Sequence, residues 1–441
     1  MEEYSKQSSQ EGITISSRIN AEIQKKIKSI LDFKEKIGGS LKKDTSELLE
    51  IFLGGGIHLS ASDLHVEPTE TQAKIRARID GVLQDAAIID REIYGNLLSR
   101  IKLLSGIKLN ITDRPQDGRF SVLTGGKSEH VSIEIRVSTL PSEYGESIVL
   151  RILNPKSLID LEALGLREDL LNLFNKEIKK PNGMIIVTGP TGSGKTTTLY
   201  AFLKKIQKPE IKVITIEDPI EYHLKGISQT QVNPARGYDF SSGLQSIMRQ
   251  DPDVILVGEI RDSKTCQIAL QAALTGHLVL TTLHTNDAAG TVVRLISLEG
   301  NLANIGPAVN MIVAQRLVRK LCDKCFQFMP VSSSILEKLE KNLKGISKEV
   351  KIPKLNPGLK IPEVKGCKYC NFTGFRGRVG IFEAILIDDE MEKFILKNPS
   401  VADFQELAMK KGMVTMYQDG LIKVLQGETT IKEVERTTME E

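Results

Sequence analysis

The chain has 441 residues, 40% hydrophobic and 26% charged, with a formal net charge of +3. That length calls for two or three domains with sizeable cores, and the near-neutral balance excludes the strongly basic signature of a general nucleic-acid binder. No apolar run approaches the ~20 residues of a bilayer-spanning helix, and the polar start Met-Glu-Glu-Tyr-Ser-Lys has no signal-peptide core, so the chain reads as cytoplasmic.

Residues 1–12 are polar and are expected to be disordered. From Arg18 to Ile37 apolar residues recur at Ile19, Ile23, Ile27, Ile30, Leu31 and Ile37, with lysines opposite. This spacing predicts one amphipathic helix, docked either on the protein itself or on a partner or membrane surface. Gly38-Gly39-Ser40 ends the pattern. Residues 41–155 read as a separate α+β domain: a helix around Asp44–Gly54, then alternating strands at 73–81 and 132–137. Arg114-Pro-Gln-Asp-Gly-Arg119 reads as a turn.

From residue 160 to 441 apolar strands alternate with helices, which predicts a parallel α/β sheet. The strand Gly183–Thr188 runs into Gly189-Pro190-Thr191-Gly192-Ser193-Gly194-Lys195-Thr196, followed by Thr197 and a helical run. Strand, glycine-rich loop and helix are the context a phosphate-binding loop requires. Its N–H groups converge on phosphate oxygens, Lys195 can reach the β- and γ-phosphates, and Thr196 can place a hydroxyl on Mg²⁺. A bound nucleotide such as ATP follows.

Three more strands end in polar tips. Val213–Ile216 ends at Glu217-Asp218-Pro219-Ile-Glu221. Val254–Val257 ends at Gly258-Glu259-Ile-Arg261-Asp262. Leu278–Leu283 ends at His284-Thr-Asn-Asp287, with His277 at its start. Ligands of open parallel sheets bind outside the carboxyl ends of the strands, so these tips are expected to converge on one nucleotide. Glu259 is the candidate to orient water or metal. Glu217 and Asp218 can hold Mg²⁺ through water or polarise the nucleophile. His284 can contact the γ-phosphate, and His277 is grouped with it.

Four of the five cysteines form two C-x-x-C pairs, Cys322/Cys325 and Cys367/Cys370, with 41 residues between the pairs. In a reducing compartment this favours structural Zn²⁺ over disulfides, in a module spanning about 320–382. The intervening residues must loop out. Cys266 stands alone in an amphipathic stretch and is expected in the core.

The phosphate loop, Thr215-Ile-Glu-Asp-Pro-Ile-Glu-Tyr222, Arg249-Gln-Asp-Pro-Asp-Val-Ile-Leu-Val-Gly-Glu-Ile-Arg-Asp262 and Thr275-Gly-His-Leu-Val-Leu-Thr-Thr-Leu-His-Thr-Asn-Asp287 together resemble the secretion ATPase family. That family powers type II secretion, type IV pilus assembly and related systems. Ser62-Asp-Leu-His65, Arg76-Ala-Arg78, Arg136-Val-Ser-Thr-Leu-Pro141 and Met416-Tyr-Gln-Asp-Gly420 extend the resemblance over roughly 41–441. The tetracysteine insertion resembles the secretion and pilus-assembly branch. The resemblance implies a RecA-like motor preceded by a smaller PAS-like domain, in a homohexameric ring. It implies Glu259 as catalytic carboxylate, Glu217 and Asp218 in an acidic box, His277 and His284 in a histidine box, and Arg119 and Arg136 reaching the nucleotide's phosphates. It also implies an inner-membrane platform protein and a membrane docking protein as partners, peripheral membrane association and no nucleic acid. Members usually carry a further docking domain. Here residues 1–40 precede the core, so the isoleucine-rich helix is either a reduced docking element or the attachment differs. A competing reading is a DNA-uptake or nucleic-acid translocating ATPase. Its nearest support, Gly374-Phe-Arg-Gly-Arg-Val-Gly380, is short.

Overall fold

The computed structural model describes residues 12–41, 44–126, 129–155 and 158–438, the side chains of 126, 129 and 130 excepted. The disorder expected for residues 1–11 lies outside these residues. The chain divides into two compact units. One comprises Met1–Ser157 with the short segments Cys322–Cys325 and Lys365–Arg376. The other comprises Leu158–Leu321, Phe326–Val364 and Gly377–Glu441. The cysteine-bearing segments, assigned from the sequence to the 160–441 region, thus group with the first unit.

The first unit is built on a seven-stranded sheet. Its strands are β1 (Gly12–Thr14), β2 (Asp63–Pro68), β3 (Gln72–Ile79), β4 (Val82–Asp90), β5 (Gln116–Gly126), β6 (Glu129–Ser142) and β7 (Gly145–Leu153), in the order β1-β5-β6-β7-β2-β3-β4. Period-two alternation decides its faces. Ile133, Ile135 and Val137 of β6 are buried in a core shared with the helices Thr45–His58 and Arg91–Leu104. The opposite face carries a polar row. Arg119 stands opposite Arg136, Arg136 opposite Arg151, Arg151 opposite Asp63, and Asp63 opposite Arg78. Asp63 bonds Arg151 at 3.0 Å and Arg78 at 3.5 Å.

The structure departs from two expectations in this unit. The single helix over 18–37 is two helices, Ser17–Lys26 and Ile30–Gly38. Ile27 turns to an extended conformation, and the Ser29 hydroxyl accepts the Asp32 N–H at 3.2 Å, capping the second helix. Ile19, Ile23, Ile27, Ile30 and Ile37 are all buried in the unit's own core, so this apolar face covers the protein itself. The turn over 114–119 ends early, because β5 already begins at Gln116. Gly118 is a strand residue there. A Cβ at that position would lie 2.3 Å from the Ser105 carbonyl oxygen.

The second unit carries a seven-stranded sheet too. Its strands are β8 (Gly183–Thr188), β9 (Val213–Glu217), β10 (Ser228–Gln231), β11 (Val254–Val257), β12 (Leu278–Leu283), β13 (Val309–Leu321) and β16 (Phe375–Leu386), the last starting in the first unit. The order is β10-β9-β11-β12-β8-β13-β16, and the strands from β10 to β13 pair in parallel. β8, β9, β11 and β12 are buried throughout, as strands covered on both faces must be. Alternate residues go to opposite cores. Met184 and Ile186 pack with the helices Phe240–Met248, Ser263–Leu274 and Ala288–Glu299, while Ile185 and Val187 pack with Glu168–Glu177 and Lys195–Ile206. The excursion between the cysteine pairs folds into an antiparallel pair, β14 (Phe326–Pro330) and β15 (Lys360–Val364), and the helix Ser333–Leu343. Leu339 and Leu343 of that helix pack on Leu421 and Ile422. No helix among the described residues is long and apolar enough to cross a membrane.

Candidate functional site

β8 ends at Thr188, and the chain turns through Gly189, Gly192 and Gly194, with φ of +141°, +81° and +90°. Side-chain-bearing residues strongly disfavour such values, so the glycines dictate the loop's curl. The helix Lys195–Ile206 starts at once, aiming its free N–H groups and partial positive charge into the loop. The Lys195 ammonium donates to the carbonyls of Gly189 (2.8 Å) and Pro190 (3.2 Å) and so lies over the loop. Burial pulls its pKa below the ordinary lysine value. The charges of Glu259 and then Glu221 oppose that shift.

Gln315 on β13 buttresses the loop, and sequence reasoning missed it. Its Oε1 accepts the Thr198 hydroxyl at 2.6 Å. A Cβ on Gly194 would lie 2.8 Å from its Nε2, and one on Gly189 2.4 Å from its carbonyl oxygen. The available signal was a polar amide directly after the apolar run Met311–Ala314.

Glu259 follows β11 by two residues. One oxygen accepts from Arg261 at 2.5 Å, and the other lies 3.4 Å from Nε2 of His284. The backbone there is fixed across β12, with Ile260 N–H on the Thr282 carbonyl and the Thr282 hydroxyl on the Gly258 carbonyl. Burial, then the Lys195 charge, lowers the His284 pKa, with Glu259 opposing. Lys195, Glu259 and His284 therefore form one electrostatic group at the carboxyl edge of the sheet.

Glu217 does something different. It is 4% exposed and accepts from the Tyr200 hydroxyl, the Thr215 hydroxyl (2.6 Å) and Gln229 Nε2 (3.1 Å). This buried carboxylate pins β9 to β10 and to the helix after the phosphate loop. The acidic side chains one and four positions on act on the site itself. The Asp218 charge acts on Arg261, and that of Glu221 on Lys195. Glu221 stands in the same acidic segment that drew attention to Glu217. Only the burial of one and the partial exposure of the other separate them.

His277 is not brought to this group. Its Nδ1 lies 3.0 Å from the Ala272 carbonyl at the end of the preceding helix, and its own carbonyl accepts Gly183 N–H at the start of β8. β12 separates it from His284, a span of about 20 Å for an extended segment of this length. Arg119 and Arg136 belong to the first unit, adjacent across β5 and β6, with Arg136 Nε 3.3 Å from Glu134.

The four cysteines do come together. Their sulfur atoms lie within 4.8 Å of one another. The separations are 3.9 Å for Cys322–Cys367, 3.6 Å for Cys325–Cys370 and 3.7 Å for Cys367–Cys370. A zinc ion with four thiolates at about 2.3 Å demands an S–S edge of about 3.8 Å, so the set fits. Burial would raise the Cys370 pKa, but N–H groups of Cys367 and Gly374 aimed at its sulfur outweigh it and bring it to about 7. The knuckle also holds its own unit. Asn371 Oδ1 accepts Ile30 N–H at 2.6 Å, Lys368 pairs with Asp32 at 3.0 Å, and Lys324 and Arg376 each stand over the Tyr369 ring, at 3.8 and 3.9 Å from its centre. Cys266 is in the core, its thiol pushed up to about 12 by burial.

The family described as "Type II/IV secretion system protein" matches residues 43–436. The chain is 45% identical over 397 residues to type II secretion system protein E of Pectobacterium carotovorum subsp. carotovorum, covering 89% of this chain and 76% of that one. It is 41% identical over 382 residues to the type IV pilus assembly ATPase PilB of Thermus thermophilus, covering 86% and 41%. Among solved structures, the pilus retraction motor PilT with bound ADP superposes with a TM-score of 0.54 at 26% identity, over 88% of this chain and 96% of that one. The ATPase DotB of Legionella pneumophila gives 0.62 at 22% identity, over 88% and 94%, a likeness of fold.

Proposed function

The chain belongs to the type II/IV secretion system protein family as an ATPase, and we propose that it is a hexameric Mg-ATP motor driving type II secretion or pilus assembly from the inner face of the cytoplasmic membrane. The observation that carries this reading is the convergence of Lys195, Glu259 and His284 on the phosphate loop. Loop N–H groups and Lys195 would bind the β- and γ-phosphates, and Mg²⁺, held with the Thr196 hydroxyl, supplies charge neutralisation there. Glu259 would orient the attacking water, with His284 beside it and Arg261 fixing its other oxygen. Glu221 and Asp218 would line the same mouth, while Glu217 holds the strand beneath. Arg119 and Arg136, on the polar face of the first unit's sheet, would supply charge to the phosphates in the ring. Hydrolysis would then move the two units and turn a membrane platform protein.

Cys322, Cys325, Cys367 and Cys370 would hold Zn²⁺ as a closed structural site. The purified full chain is expected to carry one zinc per subunit, and chelation should make four thiols reactive to a colorimetric thiol reagent. Metal-free protein with all four thiols already reactive would refute this.

The motor reading is tested with the purified full chain. Phosphate release from ATP should require Mg²⁺, and the active species should have the mass of six chains. Turnover should rise with the cytoplasmic part of the cognate platform protein. Stimulation by DNA and none by the platform protein would overturn it in favour of a translocase.

A further inference from the structure

Thr188 is the last residue of β8, directly before the phosphate loop. It pairs with Leu283, the last residue of the neighbouring β12, directly before His284. Parallel strands end here side by side, and a hydroxyl at that end can bond the neighbour's backbone where the ladder stops. Thr188 does this twice. Its hydroxyl lies 3.0 Å from the Leu283 carbonyl and can donate to it, and it accepts the Thr285 N–H at 3.0 Å. One oxygen thus grips the peptide on each side of His284. A second contact reinforces the grip. The Thr285 hydroxyl is 2.7 Å from that of Thr188 and 2.6 Å from that of Thr291, which donates to the Asp287 carbonyl at 3.0 Å. Thr188 and Thr291 are fully buried, so no water competes for these bonds. An isolated strand-end threonine would be satisfied by one carbonyl.

From this geometry we infer that Thr188 is a positioning residue for ATP hydrolysis, a hydroxyl clamp that locks His284, and through it Glu259, to the strand that carries the phosphate loop. The inference rests on the hydrolytic reading above. It gives the loop a mechanical link to the far side of the site. A shift of the loop on nucleotide binding moves Thr188, and the backbone flanking His284 must follow. Misplacement of a reacting partner by about 1 Å costs on the order of 10²-fold in rate, so loss of the clamp should be felt in turnover more than in affinity.

Thr188→Val removes the hydroxyl and keeps the branched shape. It is expected to lower kcat by roughly tenfold to 100-fold with KM for ATP little changed, and Thr188→Ser should restore most of the rate. The link through His284 is read by a double-mutant cycle. In a His284→Gln background, Thr188→Val should add little further loss. Wild-type kcat in Thr188→Val, equal losses in the valine and serine variants, or the full loss persisting beside His284→Gln would each overturn the inference. If Thr188→Val does not fold, Thr285→Val, which removes the Thr285 hydroxyl with its contacts to Thr188, Thr291 and the Asp287 carbonyl but leaves the Thr188 hydroxyl on the Leu283 carbonyl and the residue 285 N–H, takes its place in the same cycle: a fall in kcat that disappears beside His284→Gln supports the clamp, and wild-type kcat or an undiminished additional loss overturns it. A wild-type chain without Mg-ATP turnover would defeat the hydrolytic reading instead, which keeps the two failures distinct.

Discussion

Lys195→Ala should lower kcat/KM for ATP by roughly 10²–10³-fold, the loss seen when one preorganised donor to a developing charge is removed. In this protein the effect has a local cause. The ammonium bonds two carbonyls of the loop, Gly189 and Pro190, and offsets the negative charges of Glu259 and Glu221 that act on it. Without it those carboxylates repel an incoming polyphosphate. Arginine should not rescue, because a planar guanidinium does not replace a compact point charge in a tight loop. Phosphate release and binding of a fluorescent nucleotide, measured together, check this. Wild-type turnover in the alanine variant would remove the loop from the catalytic account.

Glu259→Gln should separate chemistry from binding. The amide is nearly isosteric and retains an acceptor for Arg261, so the fold and the nucleotide pocket survive. Loss of the charge that orients water should reduce kcat by about 10²–10⁴-fold. ATP should then accumulate on the protein as an unhydrolysed complex. Glu217→Gln is the informative contrast. It leaves a buried amide facing Tyr200, Thr215 and Gln229, three donors around one acceptor, and should destabilise the protein before it alters the reacting atoms. Single-turnover hydrolysis and thermal melting of both variants distinguish the two carboxylates. Equal, undiminished kcat in Glu259→Gln would sink the assignment.

Much of the site was legible because its signals are local. The phosphate loop is eight consecutive residues. β8, β11 and β12 match the predicted strands end to end, since a strand buried on both faces is a largely apolar run closed by polar residues. What was not legible depends on distant partners. Glu217 and Glu221 look alike in sequence, and only Tyr200 and Gln229, placed by the fold, bury one of them. His277 and His284 share a motif, yet a strand between them puts them at opposite sheet edges. Ile27 continues the helical period, so nothing in the apolar spacing shows that the backbone extends there and restarts at the Ser29 cap. Gln315 and Thr188 are polar residues that directly follow the apolar runs Met311–Ala314 and Met184–Val187. That pattern flags a buried bond but not its partner.

The cysteine knuckle has a consequence for biogenesis. Asn371 and Lys368 secure the helix Ile30–Gly38 at its amino end. The chain's first unit therefore includes residues as late as Arg376. At ordinary translation rates of roughly 5–20 residues per second, those last pieces emerge some tens of seconds after Ser157. In that interval the helix Ile30–Gly38 lacks its partners Asn371 and Lys368, and the second unit's strands up to β13 have already been synthesised. The unit that begins the polypeptide is thus completed only after most of the second unit has been synthesised.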